Sequence, residues 1–186
     1  MRCFIAVEIP ADIKKQIRSV QKHFEKFDNT TLVNPELLHS TLLFLGELDK
    51  EKVEETKKII SDCLKSGKQI RCRIEGTGVF PEREYMKVIW AGMTECDALL
   101  RIQEILENNL RAKGIYNGAK KFNSHITLAR VRNSKNKQAI LAEIDKTGNF
   151  STDIFEINEI KLKESILSPR GPEYHDIAVY KLREPA

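Results

Sequence analysis

The spacing of apolar residues changes period several times along this chain. Residues 2–8 are rich in β-formers and read as a strand. Pro10-Ala11-Asp12 then opens a helix, with Ile13, Ile17, Val20 and Phe24 at helical spacing. Asn29-Thr30-Thr31 reads as a turn. Asn34-Pro35-Glu36 leads into a buried strand from Leu38 to Leu45, stopped by Gly46. Val53, Thr56, Ile60 and Leu64 mark a second amphipathic helix ending near Gly67. Ile70 to Glu75 reads as a strand, Gly76-Thr77-Gly78 as a break, Phe80 to Glu84 as a loop and Met86 to Gly92 as another strand. Leu99, Ile102, Ile105, Leu106 and Leu110 predict a long helix over 95–113, closed by Gly114. A strand over 122–131, a shorter helix over 135–146 and two strands or one bent strand over 150–167 follow. Ser168-Pro169-Arg170-Gly171-Pro172 is a turn before a last strand over 174–182.

This order predicts an α+β fold with helices laid on sheet faces. A doubly wound sheet would need a helix between nearly every pair of strands, and the runs around Phe80 and Phe155 lack one. The 186 residues fit a single domain, 1–186, with no interdomain linker or low-complexity tract. Apolar runs fall far short of the roughly 20 residues of a spanning helix, so no membrane role is expected. The start has no secretory pattern. The formal net charge of +4 permits a nucleic-acid partner without demanding one. Cys3, Cys63, Cys72 and Cys96 form no CxxC pair and read as reduced, mostly buried thiols of a cytoplasmic protein. A soluble monomer is the expected state.

The feature that bears on chemistry is an internal echo. His39-Ser40-Thr41-Leu42 recurs as His125-Ile126-Thr127-Leu128, in β-rich surroundings. Side chains at i and i+2 of a strand share a face, about 6–7 Å apart. Each motif therefore presents an imidazole and a hydroxyl side by side. Two such strands facing one cleft suit a phosphodiester. One histidine removes a proton from the attacking oxygen, the other protonates the leaving oxygen, and the hydroxyls bond the nonbridging oxygens. This chemistry requires no metal or other cofactor. The bland alternative is two core histidines on buried strands.

The paired motifs resemble those of the two-histidine (2H) phosphoesterase superfamily, and most closely its RNA 2',3'-cyclic phosphodiesterase branch, also called the 2'-5' RNA ligase family. The similarity runs over nearly the whole chain. Its blocks are Arg2-Cys3-Phe4-Ile5-Ala6-Val7, Asn34 to Glu47, Val79-Phe80-Pro81 with Val88 to Gly92, and Lys121 to Val131. The resemblance implies two related antiparallel-sheet lobes with outer helices, a pseudo-twofold axis and a central cleft carrying both His-x-Thr motifs. It implies hydrolysis of RNA 2',3'-cyclic phosphate ends to 2'-phosphates, and a weak ATP-independent 2'-5' joining activity. The implied partner is an RNA 3' end carrying the cyclic phosphate, tRNA halves included. Carried onto this sequence, His39 is the general acid and His125 the general base, while Thr41, Thr127 and Arg130 hold the phosphate. The near-symmetry of the motifs leaves the acid and base order open.

Leu32 stands where the family often has an aromatic residue, and Ser40 where an apolar one is common, which bears on base stacking more than on catalysis. Strict alternation would turn Arg130 away from Thr127, so its role requires a bulge or a strand end. Ser40 and Ser124 are expected to point away from the histidines. His23 reads as a solvated helical residue, and His175 as either a base-stacking ring or a surface position. Phe4 and Phe80 read as core. Pro35 sets the loop before the first motif. Lys120, Lys121, Arg130 and Arg132, followed by Lys135 and Lys137, form either a solvated face or an RNA-attracting one. Two other functions fit the same motifs: a phosphodiesterase of a small cyclic-phosphate nucleotide, and a noncatalytic RNA-end-binding module.

Overall fold

The computed structural model describes residues 1–118, 122–169 and 171–184. Nine strands and four α-helices are found among them. They run in the order β1 (Arg2–Glu8), α1 (Ala11–Gln21), β2 (Thr30–Leu32), β3 (His39–Glu47), α2 (Lys50–Leu64), β4 (Ile70–Pro81), β5 (Met86–Thr94), α3 (Asp97–Ala112), β6 (His125–Val131), α4 (Lys137–Lys146), β7 (Phe155–Ile157), β8 (Glu159–Ser168) and β9 (Gly171–Lys181). Short 3₁₀ turns at Lys22–Phe24 and Pro35–Leu37 complete the chain.

The strands form two sheets, ordered β3-β1-β8-β9 and β2-β6-β5-β4-β7, with every pair antiparallel. Helices α2 and α3 pack against each other, and against β9 and β3 of the first sheet. Helix α4 packs on β4 of the second. Helix α1 follows a strand of the first sheet yet ends on the second. Its buried Gln21 donates from Nε2 to the carbonyls of Val33 and Leu128, each at 2.9 Å. The expected α+β class, with two antiparallel sheets and helices outside them, is what the structure shows.

Three local expectations change. Thr30-Thr31 is not a turn but part of the short edge strand β2, which pairs with β6. Gly76-Thr77-Gly78 does not interrupt β4. Gly76, at φ +66°, sits in a bulge between Glu75 and Thr77, and the strand runs on through Phe80. Gly46, at φ +75°, likewise lies within β3 instead of ending it. A glycine in a strand reads as a stop, yet in each case its positive φ serves an irregularity that bends the ladder and lets it continue.

The helices owe their burial to the spacing that predicts them. Ile13, Ile17 and Val20 of α1 are buried, as are Val53, Ile60 and Leu64 of α2 and Leu99, Leu106 and Leu110 of α3. Asp49 caps α2 by accepting from the Lys52 amide at 2.8 Å. Glu143 of α4 is buried and ion-paired. It accepts from Lys26 at 2.7 Å, from His23 Nδ1 at 2.8 Å and from Lys146 at 3.0 Å. His23 is therefore tied to a carboxylate and not merely solvated.

This packing makes two predictions. Gly78 lies opposite Trp90, whose indole stacks on Phe80 with ring centroids 5.1 Å apart. A Cβ at Gly78 would meet the indole at 2.3 Å. Gly78→Ala should cost about 1–3 kcal/mol through overpacking, measured by urea unfolding. Trp90 is the only tryptophan, so its fluorescence reports the displacement directly. The second concerns pH. Lys26, His23 and Lys146 hold the Glu143 carboxyl down at about 2. A carboxyl lowered on folding stabilises above its unfolded value of about 4.3, and that stability is lost as pH falls through the folded value. Thermal melts should therefore show the wild type losing stability between about pH 5 and pH 2. Glu143→Gln should lower the melting temperature at neutral pH and flatten that acid-side slope.

Candidate active site

The motif strands are β3 and β6, one from each sheet, and they contact each other. Their first seven residues repeat one burial pattern. His39 and Thr41 are half-buried, as are His125 and Thr127, while Ser40, Leu42, Leu43 and Leu45 are buried, as are Ile126, Leu128, Ala129 and Val131. The two consecutive buried residues in each strand have a definite cause. Thr41 pairs with Ala6 and Leu43 with Ile5, so Leu42 is an extra residue in β3. Thr127 pairs with Trp90 and Ala129 with Ile89, so Leu128 is an extra residue in β6. Each leucine of His-x-Thr-Leu is a β-bulge.

The bulge decides what comes next. One extra residue inverts the alternation, so Phe44 and Arg130, five residues after each histidine, return to the face of the histidine and threonine. Phe44 lies opposite Phe4, and Arg130 lies opposite Val88. The structure thus supplies the bulge that Arg130 requires. It also reveals Phe44, 70% exposed, as the counterpart of Arg130 in the other lobe. The offset from the two histidines was a signal for Phe44 in the repeat itself.

Both imidazoles are held in the same way. His39 Nδ1 lies 2.7 Å from the Leu37 carbonyl, and His125 Nδ1 lies 2.6 Å from the Asn123 carbonyl. A carbonyl only accepts, so Nδ1 carries the hydrogen in each ring. Nε2 is left free to take or give a proton. Ser40 and Ser124 are buried and point to the other side of their strands, as alternation requires.

The surroundings of the two rings differ. His39 is boxed by Phe4 at 5.4 Å and by the edge of Tyr174 at 5.2 Å between centroids. This burial pushes its imidazolium below the ordinary histidine value. The bond to the Leu37 carbonyl and the charge of Glu8 work the other way, while Lys163 and His125 add to the lowering. His125 meets the edge of Phe80 at 5.0 Å, with Trp90 stacked beyond it. Phe4 is buried in the core as expected, whereas Phe80 is only half-buried and departs from the core reading; each ring forms a wall beside its histidine.

The floors beneath the motifs diverge as well. Beside Thr41, β1 carries the small Ala6, and β8 places Lys161 opposite Ala6 and Lys163 opposite Phe4. Both ammoniums bridge Glu8 and Asp176 in a closed ring. Lys161 lies 3.0 Å from Glu8 and 2.8 Å from Asp176, Lys163 lies 2.6 Å from Glu8, and Lys163 also bonds Asp176. Burial works against the Lys161 ammonium, but Asp176, Glu8 and Glu159 outweigh it and push its pKa up. Burial opposes the Glu8 and Asp176 carboxylates too, and the two lysines outweigh it and hold both pKa values down. In the other lobe the matching positions are Trp90, Gly78 and Phe80. Sequence reasoning missed this ring. Its one trace was the alternation of lysine with Ile160 and Leu162.

A cavity of about 370 Å³ opens beside His39, lined by Glu8, Glu36, Lys163, Tyr174 and His175 among others. Of the basic residues singled out near the second motif, Lys120 and Lys121 lie outside the described residues. Arg130 and Arg132 are exposed. Among the described residues no group of three His, Cys, Asp or Glu side chains is placed to hold a metal ion. Among the same residues, no helix is long and apolar enough to cross a membrane.

A family model described as the AKAP7 2'5' RNA ligase-like domain matches residues 4–182. The RNA 2',3'-cyclic phosphodiesterase of Archaeoglobus fulgidus is 32% identical over 184 residues, covering 97% of this chain and 100% of that protein. The RNA 2',3'-cyclic phosphodiesterase of Methanocaldococcus jannaschii is 34% identical over 177 residues, covering 95% and 98%. A crystal structure of a Thermus thermophilus protein matches all of both chains with a TM-score of 0.84 at 27% identity. Escherichia coli LigT complexed with 3'-AMP matches 97% of each chain with a TM-score of 0.78, and at 23% identity it bears on the fold alone. Matched by that model over nearly its whole length and by relatives above 30% identity, the chain belongs to the 2'-5' RNA ligase-like family of two-histidine phosphoesterases.

Proposed function

We propose that this chain is a metal-independent hydrolase that opens RNA 2',3'-cyclic phosphates to terminal 2'-phosphates, with weak ATP-independent 2'-5' joining at the same site. The observation that carries this reading is the duplicated device at the cleft: two bulged strands, each presenting a histidine with Nδ1 fixed and Nε2 free beside a threonine hydroxyl. The curated relatives named for this activity support it. In this reading the whole chain works as one bilobal domain, as a monomer in the cytoplasm, on RNA 3' ends such as those of tRNA halves.

The step balances with the residues in place. His125 Nε2 takes a proton from water as its oxygen bonds to phosphorus. The bond from phosphorus to O3' breaks, and His39 Nε2–H gives its proton to that oxygen. The 2'-phosphate and a free 3'-hydroxyl remain. Thr41 and Thr127 donate to the nonbridging oxygens, and Arg130 offsets their charge. The more open setting of His125 suits the partner of a water. The boxed setting of His39 suits a proton donor, because an imidazolium destabilised by burial is a stronger acid once formed. An arriving phosphodiester anion favours that imidazolium.

Turnover of a short RNA ending in a 2',3'-cyclic phosphate, with excess chelator, tests this. Wild type should yield the 2'-phosphate, and His39→Ala and His125→Ala should each lose about 10²–10⁴-fold in rate while remaining folded. Thr41→Val and Thr127→Val should lose on the order of 10²-fold. Abolition by chelator, or full activity in either histidine variant, would overturn the reading. An NMR titration checks the setting of His39. Its pKa should lie below about 6.5 in the free protein. Inorganic phosphate should raise it. A rate profile that is bell-shaped in pH should accompany this.

A further inference from the structure

The reading above accounts for the reacting phosphate and leaves the rest of the RNA without a place. Strand β6 points to one. Arg130 faces the cleft by virtue of the bulge, and the exposed Arg132 follows just past the end of the strand. Beyond the strand end lies a second cavity, of about 270 Å³, between the loop before β5 and the start of α4. Its apolar floor includes the buried Met86, Val131 and Ile140. Lys87, Arg132 and Lys137 stand at its rim with a single acid, Glu84. Tyr85, also at the rim, is 57% exposed and carries the Lys87 ammonium 5.0 Å above its ring.

Among the described residues, Arg130, Lys87 and Lys137 have no carboxylate partner. Their charge is therefore available to an anion in a way that the closed ring of Lys161 and Lys163 is not. Arg132 is held in place by donating to the Asp28 carbonyl, and the Asp28 carboxylate, itself paired with Lys135, lies near enough to offset part of its charge. The corresponding end of the other motif strand has the opposite character. After Phe44, β3 ends in Glu47, and Asp49 follows as the cap of α2. The β6 end is thus basic, while the acids at the β3 end are engaged by the N-terminal ammonium and the Lys52 amide. An apolar floor, an exposed aromatic ring and uncompensated cations are the combination that stacks bases and tracks the backbone of a single-stranded nucleic acid.

We propose that the RNA chain leading to the cyclic end leaves the cleft along β6 and is held by the pocket of Tyr85, Lys87, Arg132 and Lys137. That pocket begins about 20 Å from His125 at the rise of a strand, several nucleotides upstream of the reacting phosphorus. The site is thus an RNA-length subsite of the catalytic cleft and rests on the hydrolase reading above. It makes a polynucleotide, not a free cyclic nucleotide, the preferred substrate.

The test compares a hexanucleotide ending in a 2',3'-cyclic phosphate with adenosine 2',3'-cyclic monophosphate. It uses wild type, the exposed double variant Lys87→Glu/Lys137→Glu, and Tyr85→Ala. Wild type should show a lower KM for the hexanucleotide. The double variant should raise that KM about 10-fold or more at moderate salt, and lower the salt slope by about 1.4 for two lost phosphate contacts. Tyr85→Ala should raise the hexanucleotide KM as well. Turnover of the mononucleotide should stay at the wild-type rate in all three proteins. Equal wild-type KM values for both substrates, or a loss shared by both in the variants, would overturn the subsite while leaving the hydrolase reading intact. Should neither substrate turn over, the hydrolase reading fails, and fluorescence anisotropy of the labelled hexanucleotide decides the subsite alone. Weaker binding by the double variant supports it, and unchanged binding overturns it.

Discussion

His39 donates from Nδ1 to the Leu37 carbonyl, and His125 donates from Nδ1 to the Asn123 carbonyl, each spanning two residues of its own chain. These two bonds fix which nitrogen of each ring is free, and they do so without borrowing a carboxylate. The choice of acceptor has a chemical consequence. A carboxylate partner would raise the proton affinity of the ring, whereas a neutral carbonyl orients it with a weaker pull. For such a bond to form, the chain must turn sharply before each motif strand and then run straight through the threonine. The 3₁₀ turn Pro35–Leu37 does this for His39, with Asn34 accepting from the Glu36 amide at 3.0 Å to hold it.

The bulged leucines extend this arrangement. Leu42 and Leu128 each place one more residue in the core, and each brings the residue five after the histidine back to the cleft. Bulges disturb a ladder and leave backbone groups to be satisfied elsewhere. At Leu128 the carbonyl accepts both the Val33 amide at 2.9 Å and Gln21 Nε2 at 2.9 Å. A buried glutamine on α1 thereby belongs to the scaffold of the candidate site, although its helix follows a strand of the other sheet. The same bonds anchor the end of β2 to β6, so the cleft wall and the lobe's edge are built from one set of contacts.

Much of this was legible in the sequence because it is local. The apolar spacing of Ile13, Ile17 and Val20, or of Leu99, Leu106 and Leu110, depends only on helical period. The His-x-Thr echo depends only on strand alternation. What the sequence withheld is register. Arg130 faces the cleft because Leu128 has no partner in β5, and nothing in the tetrapeptide announces this. Gly46 and Gly76 read as breaks because a glycine in a strand has the same signature whether the strand stops or bulges. The ring of Glu8, Lys161, Lys163 and Asp176 joins β1, β8 and β9, and β1 is separated from the other two by more than a hundred residues, so only the sheet order reveals it. Thr30-Thr31 reads as a turn for a related reason: a short edge strand draws its definition from its neighbour β6, not from its own composition.

The same ring explains why a symmetric pair of motifs can sit in an asymmetric cleft. The carboxylates of Glu8, Asp176 and Glu159 more than balance the two ammoniums, so the first lobe adds no free positive charge to the cleft despite burying two lysines there. Burial of ions is costly, and an apolar floor such as Trp90 over Gly78 serves the second lobe without them. The ring therefore contributes something an apolar floor does not. It ties β9, and with it Tyr174, against His39 by directional bonds, and it sets a lysine and a glutamate at fixed places near that imidazole. With the first lobe neutralised, Arg130 in the second lobe has no matching cation across the axis, since its counterpart is Phe44. Hydrolysis of a cyclic phosphate needs such handedness. The water and the leaving oxygen lie on opposite sides of phosphorus, and a cleft with identical walls would bind the end in either sense, with only one of them productive. In the proposed reaction the repeated motif provides the two proton-transfer groups, and the differences around it are what would assign them a direction.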